Sequence, residues 1–157
     1  MDSTTLSFSV VSSILGAGTI ATAVMSLFVL LFSGTAVLPL NPLMVIGSMV
    51  TSSRIAAPRF GAVMHFAVGI LAAFLYAVLL RATGFVSAAM PIAGATLIGF
   101  IHGYVMSFIL VISLGENGAS PGIRKQGMAQ AGVYLVAHVL FGASLGLMFM
   151  VLPAALQ

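Results

Sequence analysis

The chain has 157 residues; 61% are hydrophobic, only 4% are Asp, Glu, Lys or Arg, and the mean hydropathy is +1.26. Soluble domains carry about 25% charged residues, so this sequence cannot clothe itself in a solvated surface, and lipid must be its main solvent. The lack of cysteine excludes disulfides, thiolate metal sites and thiol catalysis, while a dispersed net charge of +3 suits anionic lipid headgroups and excludes a nucleic-acid partner.

Residues 1–13 hold no Lys or Arg. They lack the positive start of a secretory signal, and the first hydrophobic segment is read as retained. A membrane-crossing helix needs about 20 mainly apolar residues. Four stretches qualify, at about 13–32, 59–80, 91–114 and 128–152. Between the first two, Asn41 is a good N-cap and Pro42 a good first helical residue. The short helix expected there, 42–53, reaches only about 18 Å and cannot span. It is expected to lie at the interface or re-entrantly against the bundle. The expected fold is therefore all-α: a single transmembrane domain over residues 1–157, an integral membrane four-helix bundle with one short accessory helix.

Orientation follows from the loops. Arg54 and Arg59 precede the second span and Arg124 and Lys125 the fourth, whereas the opposite side carries Asp2 and one cation, Arg81. The positive-inside rule then puts loops 33–58 and 115–127 in the cytoplasm and both termini outside it. The polar stretch 115–127, rich in glycine and containing Pro121, reads as the one extended connection. It is either a solvated link or a docking surface.

Helices in lipid associate by close packing of small residues, because lipid tails are as apolar as leucine. Every span has such a stripe: Gly18, Thr22 and Ser26; Gly69 and Ala73; Ala95, Gly99 and Gly103; Gly142 and Gly146. The second and fourth spans share the pattern His-x-x-x-small-x-x-x-small, at His65-Gly69-Ala73 and His138-Gly142-Gly146. Since these two spans run parallel, the pattern points to a repeat of two helical hairpins about an axis along the membrane normal.

All three histidines of the chain fall on these stripes, His102 in the third span joining His65 and His138. At about 100° per residue each projects to its helix's small-residue face, into the bundle. An ionisable ring there is a functional hypothesis by default. One reading is a candidate cofactor-binding layer of His65, His102 and His138 for haem, a transition metal or a quinone headgroup. Met64 and Met106 stand nearby, and Tyr76 and Tyr134 lie on the faces of His65 and His138, where their hydroxyls could hold the rings. The plainer reading gives each histidine one interhelical hydrogen bond. The metal, if there is one, is unknown.

Carboxylate-coupled ion transport is disfavoured, since Asp2 and Glu116 both lie outside the spans. Gly142-Ala-Ser144-Leu-Gly146 matches the Gly-x-Ser-x-Gly string of hydrolases, but that motif acts at a strand-to-helix turn and here sits mid-helix. No catalytic residue is nominated, and the residues favour a non-enzymatic role without excluding an enzymatic one.

Gly18-Thr-Ile-Ala21-Thr22-Ala-Val-Met25-Ser26, then Asn41-Pro42, His65-x-x-x-Gly69 with Tyr76, His102, and Ala137-His138-x-x-x-Gly142-x-x-x-Gly146 together resemble a family of small four-helix bacterial inner-membrane proteins with a domain of unknown function. The likeness covers residues 16–153, with 115–127 as a possible departure from it. It implies a bacterial inner membrane and brings no activity or cofactor. The expected role is a binding or accessory subunit using the histidine layer, in the lipid bilayer and within a homo-oligomer or larger membrane complex. The alternatives are a purely structural subunit or a small-solute permease.

Overall fold

The computed structural model describes residues 8–38, 41–87, 90–116, 121–152 and 156. Five helices follow one another: α1 (Phe8–Phe32), α2 (Pro42–Ser48), α3 (Ala57–Thr83), α4 (Met90–Glu116) and α5 (Pro121–Val151). Among the described residues four segments are long and apolar enough to cross a membrane: Phe8–Phe32, Ala57–Thr83, Met90–Ile109 and Gly127–Val151. Their outer faces are bare hydrocarbon, as in Leu31 and Val63, which are 77% and 69% exposed. So much apolar surface is tolerated only where lipid covers it.

The helices outrun the limits expected from hydropathy. Helix α1 begins at Phe8 rather than near residue 13. Most of the expected 115–127 connection is helical: α4 continues to Glu116 and α5 starts at Pro121, leaving 117–120 outside the described residues. Hydropathy marks where lipid ends, but a helix can run on into water, and Pro121 suits a first turn that needs no backbone N–H. The short helix is also briefer than 42–53, ending at Ser48. Asn41 caps it, its side chain accepting from the Leu43 N–H at 2.9 Å.

Packing follows the small-residue stripes. In the first hairpin, a Cβ added to Gly18 would stand 2.9 Å from the Ala73 Cβ, and one added to Gly69 would collide with the Thr22 hydroxyl. In the second, a Cβ on Gly142 would run into the Ala95 carbonyl, and one on Gly146 would lie 2.5 Å from the Pro91 carbonyl oxygen. The glycine four residues after the histidine thus receives the neighbouring helix in both α3 and α5. Ser107 ties the second hairpin further by donating to the Ala131 carbonyl at 2.8 Å.

The two hairpins join through α1 and α5, whereas α3 and α4 touch at few points. The core that results contains Tyr76, Leu80, Leu145, Phe149 and Thr22, all fully buried. Helix α2 lies antiparallel on the first turns of α3, with Gly47 against Ala57 and Gly61 against the Leu43 carbonyl. This backbone-to-backbone contact leaves no room for a side chain at either glycine. It holds α2 at the bundle end where α1 finishes and α3 starts.

Candidate functional site

One cavity of about 440 Å³ lies in the half of the bundle next to α2. Thr22, Met25, Ser26 and Val29 of α1 form one wall, and Met64, His65, Val68 and Gly69 of α3 another. Helix α4 supplies His102 and Met106, and α5 supplies Tyr134, His138 and Phe141. Helix α2 closes it with Pro42, Leu43, Val45 and Ile46. All three histidines therefore border a single space of a size suited to a small organic molecule.

Their mutual positions are unequal. The His102 and His138 rings are in contact, with centroids 4.7 Å apart and planes 64° apart. Gly103 makes this possible: a Cβ there would lie 2.8 Å from the His138 Cβ and hold α5 away from α4. His65 faces the same cavity from α3, and its aromatic neighbour is Phe66, edge-on at 6.3 Å.

The tyrosines act differently from the arrangement their spacing implies. Tyr76 shares α3 with His65, yet its hydroxyl bonds His102 across the bundle, 3.2 Å from Nδ1. Helices α3 and α4 touch at few points, and it is the length of the tyrosine side chain that bridges the gap between them. Tyr134 contributes its backbone rather than its hydroxyl: its carbonyl oxygen is 2.7 Å from His138 Nδ1. Four residues apart on one helix, the imidazole folds back on the preceding turn. Tyr134 also lines the cavity.

These partners assign the protons. A carbonyl only accepts, so His138 Nδ1 carries a hydrogen and donates it to Tyr134; the Nε2 of the neutral ring is then an acceptor. Tyr76 is 1% exposed and its hydroxyl has His102 as its hydrogen-bond partner. An O–H proton directed away from that partner would be buried and unsatisfied, at a cost of about 1–3 kcal/mol. Tyr76 therefore donates to His102 Nδ1, and His102 carries its own proton on Nε2. The touching rings thus keep one donor and one acceptor in reserve. The nearby hydroxyls are already engaged along their own helix, Thr22 donating to Gly18 O and Ser26 to Thr22 O, each at 2.7 Å.

This arrangement suits a ligand oxygen better than a metal. Two imidazoles on opposite sides of one haem iron would have centroids about 6 Å apart, given metal–nitrogen bonds of about 2 Å. The observed 4.7 Å is too short for His102 and His138 to be that pair. Joint ligation of a metal on one side would need a lone pair on both Nε2 atoms, so His102 would have to take the other tautomer and donate from Nδ1 to the Tyr76 hydroxyl, at a cost of about 1–3 kcal/mol. Among the described residues no three His, Asp or Glu side chains are grouped closely enough to hold a metal ion.

The α2 wall and the contributions of Thr22, Ser26 and Phe141 are not evident from the sequence. Thr22 and Ser26 are visible there only as packing residues, and no local pattern brings α2 under the histidines. No family model, curated protein or solved structure matches this chain.

Proposed function

We propose that this multi-pass membrane protein is a binding subunit whose intramembrane cavity receives an organic ligand presenting a hydroxyl, as on a quinol headgroup. The carrying observation is the pair of touching imidazoles with opposite vacant roles, His102 Nε2–H and the His138 Nε2 lone pair, on the wall of a mainly apolar cavity. One hydroxyl can donate to the second and accept from the first. The apolar walls take the remainder of the ligand. His65, on the facing helix, offers a further polar group for a second oxygen, such as the other end of a quinol ring.

Chemical extraction tests this reading. Protein purified in mild detergent should release a hydroxyl-bearing organic molecule in stoichiometric amount, identified by mass spectrometry. A Soret band or a stoichiometric transition metal in the same preparation would overturn it. The Tyr76→Phe variant should remain folded, lose about 1 kcal/mol of stability with its one hydrogen bond, and bind a benzoquinol about tenfold more weakly, because His102 no longer has its proton held on Nε2. Unchanged affinity in a folded Tyr76→Phe protein would remove the assigned proton arrangement.

The likeness drawn from Gly18 through Gly146 supports a bacterial inner membrane as the location. The exposed Arg54 and Arg59 support a cytoplasmic 33–58 segment, with both termini on the other side. A fluorescent protein that matures only in the cytoplasm, fused after Gln157, should stay dark. A bright fusion would reverse the orientation.

A further inference from the structure

Resting on the reading of the cavity as a hydroxyl-ligand site, we infer that its ligand is a lipid with an apolar tail, which enters sideways from the bilayer between α3 and α4. The contacts between the two hairpins are lopsided: α1 meets α5 about as closely as it meets its own partner α3, while the counterpart contact, α3 against α4, is sparse. Helices on both sides of this gap line the cavity. Val68 on α3 and Met106 on α4 both line it, and they are 60% and 45% exposed on the outer surface. Both sit within transmembrane segments, so the medium beyond them is hydrocarbon.

A closed cavity would take a compact molecule, and one open to water would show polar residues at its mouth. This mouth instead has valine on one side and methionine on the other, with Leu30 and Val45 also part-exposed at the cavity's edge. A methionine can reshape around a chain of varying thickness because its side chain is unbranched and polarizable. The histidine pair offers one donor and one acceptor side by side, so it fixes the head while the tail extends past Val68 and Met106 into lipid. A tail left in the bilayer also keeps the ligand concentrated where the mouth opens, each buried methylene favouring the lipid side by about 0.8 kcal/mol.

The test compares two probes in nanodiscs: a benzoquinol headgroup alone, and the same headgroup bearing a saturated tail of about ten carbons. Binding is read with radiolabelled probes after separating protein-loaded from empty discs, with concentrations corrected for partition into empty discs. Wild-type protein should bind both, the tailed form more tightly. Val68→Trp and, separately, Met106→Trp narrow the mouth from opposite walls. Each should weaken the tailed quinol at least about tenfold more than it weakens the headgroup alone, while His138→Ala weakens both probes alike; an equal loss for both probes in both Trp variants would overturn lateral entry. Two variants on different helices guard against misfolding of either, and both should elute as wild type on gel filtration. If both probes bind and both Trp variants hold the tailed quinol as wild type does, lateral entry is wrong and the hydroxyl site stands. If neither probe binds wild-type protein, the hydroxyl reading itself fails and the portal with it.

Discussion

Gly142→Ala should sharply destabilise the protein, whereas Gly132→Ala, ten residues earlier on the same helix, should leave it unchanged or slightly firmer. At Gly142 the new methyl would meet the carbonyl oxygen of Ala95 and stand 3.2 Å from the Gly99 Cα, so α4 and α5 must separate. At Gly132 it would meet nothing within 4 Å. Overpacking an interior side chain typically costs about 1–3 kcal/mol. The obstacle here is helix backbone, which cannot swing aside, so a loss of about 3 kcal/mol is expected. Gly132→Ala gains helix propensity instead, up to about 1 kcal/mol on scales measured in water. Unfolding by SDS in mixed micelles, followed by circular dichroism, reads both. Equal midpoints for the two variants would mean that α4 and α5 are not held at backbone contact. The same change should disturb the site, because Gly99 lies against the His138 carbonyl and Gly103 against its Cβ. In this protein helix packing and placement of the imidazole pair are a single event.

The second large effect belongs to α2. Gly61→Val should expel the short helix from the bundle while the four spans stay assembled. A side chain at 61 would drive into the Leu43 carbonyl, with 2.6 Å left to its carbon and 3.0 Å to the Gly47 nitrogen. The stripes that join α1 to α3 and α4 to α5 lie elsewhere, at Gly18, Gly69, Gly99 and Gly142. Loss of α2 takes Pro42, Leu43, Val45 and Ile46 from the cavity wall and opens it to the interface. Because the chain has no cysteine, Leu43→Cys is a unique reporter. A membrane-impermeant maleimide should label it slowly in the parent and at least about tenfold faster with Gly61→Val, since thiolate chemistry needs water access. Equal labelling with retained quinol affinity would show that α2 neither packs at Gly61 nor closes the cavity.

Much of the architecture was legible because membrane insertion is a local matter of composition. A run of about 20 apolar residues declares a span whatever its neighbours do, and all four expected spans correspond to long helices. The N-cap at Asn41 is equally local, since a side chain and a backbone amide two residues on suffice to make it. The ends of the helices were less legible. Hydropathy reports the solvent around a residue rather than its backbone conformation, so it marks the fourth span from 128, close to Gly127–Val151, and not the helix that carries it back to Pro121.

Of the candidate site, the sequence alone determined which histidines point inward, because small residues one turn away mark the buried face of each helix. It could not determine which rings meet. That depends on how closely α4 and α5 approach and how far α3 stands from α4, and those distances are set by backbone contacts at Gly99, Gly103 and Gly142 acting together. Only the tertiary structure paired His102 with His138, redirected Tyr76 from its own helix's histidine to His102, and brought α2 beneath them. The physical reason is one of range. Hydrophobic periodicity and capping act within a few turns of one helix, whereas the position of a hydrogen-bonding atom in a cavity is the sum of every interhelical separation around it.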